Sequence, residues 1–472
     1  GFNMTALALR GSRFHNGVSR IHGNVASDME AHIWPDIPPG ENPIGYITNG
    51  VHVPTILSSR WQALFDSQFS AQWKNSLFDV DYWEGIETIP DLTYWSTRQT
   101  LKSEMLRYLS ARVTKQLRRN NFSEVEIRRL THQLDSDKQD TQIIGFERRF
   151  ATYKRATLLL RDLPRLERLL GDPERPVLLL FAGKAHPSDA PGQRLIEHIH
   201  EISMRPEFQG KILLLEDYNL ALARWLVVGV DVWLNTPEYP LEASGTSGQK
   251  AAINGVINLS VLDGWWAEAY DGTNGWSITP GMHYDNTEER DHAESQVLLD
   301  IIEDQVVPLY YSRNGHGFPE GWIKRSKASM KTVMPRFNAA RMMRDYVINQ
   351  YVPASLHGTA LAADDAAASD LAGWKKRVAE HWNEVGLRRL DEPVAVVEAG
   401  DTLNIRVAVK PGPFSAQDIV VECLLGACTG PDDFEPAQHL ALSHTGMLDS
   451  GEMAYELALE ATMSGLQCYK IR

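Results

Sequence analysis

Lys250 closes one of the barest stretches of the chain. In "LEASGTSGQKAAINGV", Leu241 to Val256, only Ala, Ser, Gly, Thr and Gln separate Glu242 from the lysine. Backbone N–H groups in such a run can approach an anion closely, and a helix starting there adds partial positive charge. Gly245, Thr246, Ser247 and Gly248 fit that cradle, with Lys250 one turn on. An ammonium there could pair with a phosphate, and a neutral amine could form an imine with an aldehyde. The same residues also suit an ordinary surface loop with a solvated lysine, and short motifs recur by chance.

A second basic group adds weight. "FERRFATYKR" places Arg148 and Arg149 at the end of an apolar run, with Lys154 and Arg155 just beyond. Cations at the start of a helix are disfavoured, so the cluster asks for an anion. Arg suits bidentate phosphate contacts, and Lys acts as a point charge. The plainer alternative is a solvated basic helix start.

Elements that could bring the two groups together are visible between Asp140 and Leu262. The runs "TQIIGF", "PVLLLFAG", "KILLLE", "VDVWLN" and "INLSVL" are separated by stretches of helical spacing. Continuous apolar strands alternating with helices predict a parallel sheet covered on both faces, a doubly wound α/β domain. Ligands of such sheets bind outside the carboxyl ends of the strands. Each run is followed by polar or Gly-rich sequence: "ERR", "AGKAHPSD", "EDYN", "NTPEYPLEASGTSG" and "DGWW".

The flanks differ. Residues 56–138 read as mostly helical, and "SMKTVMPRFNAARMMRDYVINQYV" as an amphipathic helix. Residues 351–391 read as a linker, containing "PASLHGTALAADDAAASDLAG", with a short helix from Trp374. From 392 to 472, "TLNIRVAVK", "IVVECLL" and "MAYELALEA" predict a small antiparallel β-domain. No internal repeat is present.

The 472 residues are enough for two or three domains, and 43% hydrophobic with 23% charged residues permits a sizeable core. A net charge of −14 argues against a general nucleic-acid binder. No apolar run reaches the ~20 residues of a membrane helix. Cys423, Cys428 and Cys468 form no metal pattern; a thiol-keeping, cytoplasmic setting is expected, though so few cysteines decide little. "GFNMTALALRGSRFHNG" opens inside helix-like sequence, so the chain is expected to be the C-terminal part of a longer protein.

"EASGTSGQKAAINGVINLSVLDG" resembles the pyridoxal-phosphate signature of the α-glucan phosphorylases. "FERRFATYKR", "FAGKAHPSD", "LEDYN", "ITNGVHVP" and "FNMTALALRGSRFHNGVSRIHG" resemble further blocks of that family, in the same order. "DGWWAEAYDGTNGW" is similar to its short bacterial branch. The resemblance covers residues 1 to about 350 and implies a GT-B fold of two facing Rossmann-like domains. It divides the chain into the end of an N-terminal domain (1–48), a pyridoxal-phosphate domain (49–350), the linker and helix (351–391), and a β-rich domain (392–472) that the core family fold does not explain.

The resemblance implies pyridoxal 5'-phosphate held on Lys250. It implies Arg149 on substrate phosphate and Arg148 and Lys154 on the cofactor phosphate, with Lys250, Arg149 and Lys154 catalytic. Tyr218, Gly245 and Thr246 would contact the cofactor, and Asn49, Glu242, Ser244 and Gly245 the glucose unit. The implied reaction is retaining phosphorolysis of a terminal α-1,4-linked glucose by inorganic phosphate, giving glucose 1-phosphate. No metal, nucleic acid or membrane is implied, and family members are commonly dimers.

His22, His52, Lys184 and His186 fall in matched blocks, with packing or capping roles favoured and His52 placed near the cleft. "DGWW" reads as aromatic packing rather than a sugar platform. Gln249, Asn219, Glu238 and Tyr239 depart from the family pattern, and Glu238 brings a negative charge toward a phosphate site. Rival readings are a nucleotide-sugar glycosyltransferase of the same fold, which needs no lysine-bound aldehyde, and an inactive glucan-binding fragment. Without the N-terminal half of the cleft, weak or no activity is expected.

Overall fold

A computed structural model describes residues 2–35, 37–281, 284, 286–363, 365–394, 396–398, 400–428, 434–462 and 465–472. The chain forms two compact units, Gly1–Ala354 and Ser355–Arg472.

In the first unit, the short strands β1 (His15–Gly17) and β2 (Ile44–Tyr46) pair in parallel. The central sheet follows: β3 (Gln142–Glu147), β4 (Val177–Ala182), β5 (Ile212–Leu215), β6 (Val232–Asn235), β7 (Ile257–Val261) and β8 (Gly275–Ile278). All are parallel, in the order β5-β4-β3-β6-β7-β8. Five of these were readable as apolar runs. β8, "GWSI", was not, because four residues with one Ser carry no run.

The runs are continuous because both faces are covered. Along β4, Leu178, Leu180 and Ala182 enter one core together with Trp61, Met105 and Trp233. Val177, Leu179 and Phe181 enter the other with Phe146, Leu166 and Ile199. Helices Asp91–Arg119 and Glu320–Arg336 bury side chains in this unit, as the helical reading of the flanks expected.

The strand order reverses between β3 and β6. The chain moves outward from β3 through β4 to β5, then returns to the other side of β3 to lay down β6. Loops leaving β3 and β6 therefore part in opposite directions and open a crevice at the carboxyl edge.

The amino edge is closed by a fully buried charge. Lys102 Nζ donates to Asp231 Oδ2 (2.5 Å), the Thr141 carbonyl (2.5 Å) and the Tyr310 hydroxyl (2.7 Å). Arg98 is buried beside it, donating to the Val230 and Asn254 carbonyls at 2.7 and 3.0 Å.

The stretch expected as a linker is instead helical, at Val352–Ala363, whose first three residues fall within the first unit's bounds, and at Asp365–His381 in the second unit. Asp364 lies outside the described residues. Ala is the best helix former, and this segment is rich in it. The antiparallel β-domain is present: β9 (Gly386–Arg389), β10 (Thr402–Lys410), β11 (Glu422–Cys428), β12 (Phe434–Ala441), β13 (Ser443–Met447), β14 (Met453–Glu460) and β15 (Gln467–Ile471). Two sheets, β13-β14-β10-β9 and β12-β11-β15, bury Ile405, Val407, Val409, Cys423 and Tyr455. The alternation in "TLNIRVAVK" marks that inward face.

Cys428 and Cys468 form a disulfide, with Cα atoms 5.3 Å apart. This corrects the expectation of free thiols for two of the three cysteines. The antiparallel pairing of β11 with β15 brings two residues 40 apart in sequence side by side. No helix among the described residues is long and apolar enough to cross a membrane.

Candidate functional site

β3 ends in Glu147, and the next residues carry the ladder a little further. Arg148 N donates to the Ala182 carbonyl and Phe150 N to that of Lys184. Gly183 passes so close that a Cβ there would stand 1.9 Å from the Arg148 carbonyl oxygen. Continued extended geometry sends successive side chains to opposite sides. Arg148 is therefore buried, whereas Arg149 is exposed.

After a short 3-10 turn at Thr152–Lys154, Arg155 takes a left-handed conformation (φ 47°). Its guanidinium reaches the Thr236 and Pro237 carbonyls, Asp291 (2.8 Å) and Glu294 (2.5 Å). Arg155 thus leaves the basic cluster and ties the β3 loop to the β6 loop and to helix Thr287–Ile301.

The anion that the sequence demanded for the rest of the cluster comes from the chain itself. Glu242 accepts from Arg148 Nη2 at 2.6 Å and from Lys154 Nζ at 2.8 Å. Burial alone would raise the Glu242 carboxyl, but the two cations override it and hold it below its ordinary value. In this structure Arg148 and Lys154 thus face a carboxylate rather than standing free, and Glu242 is engaged by both.

The loop bearing Glu242 is fixed from behind by β7. Asp263 Oδ2 accepts from Glu242 N at 2.9 Å, and Oδ1 from Gly264 N at 2.8 Å. Trp265 N donates to the Ser244 carbonyl at 2.9 Å. Gly264 (φ 52°) must be bare, because its Cβ would stand 2.4 Å from that carbonyl oxygen. Trp265 and Trp266 are buried, so "DGWW" is packing, with Asp263 its polar end. Burial pushes Asp263 up to about 6, against the two backbone hydrogen bonds it receives.

Lys250 is the fourth residue of the short helix Ser247–Ala252. It is partly buried, and its side chain makes no hydrogen bond or ion pair with any described residue. Gly245 (φ 83°) provides the sharp turn before the helix. Gly248 lets the helix sit on β7, where a Cβ would come within 2.4 Å of Asn258 Oδ1. Thr246 accepts the Lys250 N–H on its carbonyl. Ser244 Oγ and Asn235 Oδ1 are buried without partners. The Asn49 carbonyl accepts from Gln249 Nε2 at 3.0 Å, joining this helix to the residue-49 segment.

Tyr218, from the loop after β5, donates its hydroxyl to Glu147 Oε1. Glu147 is buried, its Oε2 has no partner, and the Lys250 charge acts on it. Burial pushes Glu147 up to about 8, against the Tyr218 hydrogen bond and the Lys250 charge. Burial, then Glu147, raises the Tyr218 hydroxyl.

Sequence reasoning missed Glu147, Asp263 and Arg290. Glu147 and Asp263 are each the polar residue that ends an apolar strand run, which is the signal that could have found them. Arg290 binds Glu238 at 2.9 Å and so balances the charge that departed from the family pattern. His22 Nδ1 accepts from Val18 N, a capping role. His52 pairs with Thr55 at the surface, and His186 pairs with Ser188. Lys184 is exposed.

Residues 2–298 match the family model described as carbohydrate phosphorylase, and residues 382–472 match the glycogen phosphorylase C-terminal domain. The second match accounts for the β-rich domain that the resemblance left unexplained. Maltodextrin phosphorylase of Thermococcus litoralis is 37% identical over 96% of this chain and 52% of its own length. Glycogen phosphorylase of Mycobacterium bovis is 35% identical over 100% of this chain and 54% of its own. That of Aquifex aeolicus is 39% identical over 74% and 49%. The chain spans about half the length of these relatives. With a family model covering most of the α/β unit and a second covering the β-domain, the chain belongs to the carbohydrate phosphorylase family.

Proposed function

We propose that this chain carries the cofactor half of an α-glucan phosphorylase of GT-B architecture. The reaction is phosphorolysis of the terminal α-1,4-linked glucose by inorganic phosphate, giving glucose 1-phosphate with retained configuration. The observation that supports this best is Lys250: an amine without a hydrogen-bond partner among the described residues, on the helix that follows the Glu242 loop, with its charge acting on Glu147 at the end of β3.

The residues fit pyridoxal 5'-phosphate. Lys250 offers the amine, Gly245 and Thr246 a cradle bare enough for a phosphate, and Ser244 and Asn235 buried polar atoms with no partner of their own. When bound, the cofactor supplies a phosphate that exchanges a proton with substrate phosphate. Two adjacent anions repel strongly, so cations must hold them together. The exposed Arg149 guanidinium suits bidentate capture of substrate phosphate. Arg148 and Lys154 outnumber Glu242 by one charge and keep the pocket positive. Ser244, Glu242 and Asn49 suit the hydroxyls of a sugar, which offers only hydrogen bonds. Such fixed dipoles and charges would stabilise the oxocarbenium-like state.

Residues 1–48 are then the end of the first GT-B domain and 49–350 the second. Borohydride reduction followed by peptide mass spectrometry should find a pyridoxyl adduct on the peptide containing Lys250. Glucose 1-phosphate should form from maltooligosaccharide and phosphate with the full-length protein. An unmodified Lys250 peptide after reduction would remove the reading.

A further inference from the structure

Glu147 is a carboxyl with no part in the reaction proposed above, yet its surroundings are unusual. It ends β3 at the strand-order reversal and is buried. One carboxyl oxygen receives the Tyr218 hydroxyl, and the other has no partner among the described residues. A buried acceptor left unpaired costs stability, and natural folds rarely keep one without use. The charge that reaches Glu147 from across the site is that of Lys250.

We propose that Glu147 is a positioning residue for the Lys250 site: it holds the Tyr218 hydroxyl with one oxygen, turns the other toward the site, and by its own charge sets how tightly an anion is taken there. The proposal rests on the reading of this edge as an anion site. β3 lies between β4 and β6, and β6 ends at the same edge in the neutral Asn235. On its own strand, Arg148 is committed to Glu242. From β4, the register partner is the neutral Ala182. From the β5 loop comes Tyr218, and from the helix after β6 comes Lys250. As a neutral acid, Glu147 does not repel an anion and can donate a hydrogen bond to one. Once ionised, it places a negative charge beside the anion and partly cancels Lys250. Burial moves that change up to about 8, within reach of ordinary buffers.

Sulfate is the suitable probe, since it stays a dianion throughout. Its affinity is measured by calorimetry on the 472-residue chain between about pH 7 and about pH 9.5, above the Asp263 transition. Wild type should weaken about tenfold across this range, the effect of one unit of coupling, while Glu147→Gln should change less than about twofold. Tyr218→Phe removes a hydrogen bond that favours the carboxylate, so its transition should move to higher pH. That shift decides the matter if Glu147→Gln does not fold. Equal weakening in wild type and Glu147→Gln, no shift in Tyr218→Phe, or no sulfate binding at any pH would overturn the proposal. A wild-type and Glu147→Gln difference that persists while Lys250 yields no pyridoxyl adduct would sink the cofactor reading alone.

Discussion

The two edges of the central sheet treat charge in opposite ways. At the amino edge, Lys102 is buried with three partners and Arg98 with backbone carbonyls, so each buried cation is saturated. At the carboxyl edge, Lys250 has no side-chain partner among the described residues, Arg149 is exposed, and Glu147, Asn235 and Ser244 each keep a buried polar atom unpaired among them. Gln142 Oε1 at the amino edge is unpaired as well, like the neutral atoms of Asn235 and Ser244, so the contrast rests on the titratable groups Lys250 and Glu147. Saturated charge serves stability. Charge and polar atoms left open cost stability, which is the expected mark of a site.

The contrast can be broken by substitution. Lys102→Ala strands Asp231 in the interior and should lower unfolding free energy by about 3–5 kcal/mol, read by denaturant titration. Gly183→Ala forces apart β4 and the Arg148 segment. About 1–3 kcal/mol should be lost, together with the sulfate affinity of the site.

Glu147 gives a pH signature of the opposite hand from an ion-paired carboxylate. Its folded value, about 8, lies above that of an unfolded carboxyl. The stability tied to its proton is therefore complete below about pH 4.3 and declines as pH climbs to about 8. Melting temperature should fall across that window in wild type, with a shallower fall in Glu147→Gln. The smallest effect on stability should come from the residue most important to the proposed chemistry. Lys250→Ala should change unfolding free energy by less than about 1 kcal/mol while erasing the borohydride-trapped adduct. A large loss in that variant would mean that Lys250 is structural, and the comparison of the edges would fail.

Much of this was legible in the sequence. Five of the six strands of the central sheet read as apolar runs because both faces of the sheet are covered. The bare turn around Gly245 and the basic cluster after β3 pointed to the candidate site at this edge. The partners of that cluster could not be read. Arg148 and Lys154 lie 94 and 88 residues from Glu242, and only the strand order brings them together. Arg155 belonged by sequence to the basic group, but a left-handed turn sends it elsewhere. The Ala-rich segment after Tyr351 looked featureless because its helices expose most of their surface and so lack an apolar stripe.

Arg155 sets a long lever on the site. One guanidinium clasps the loop after β3, the loop after β6 and an outer helix. The spacing between the two halves of the crevice is thus governed by Asp291 and Glu294, which touch none of the proposed reacting groups. Sequence drift in that helix can retune the alignment of the chemistry while every nominated site residue stays unchanged.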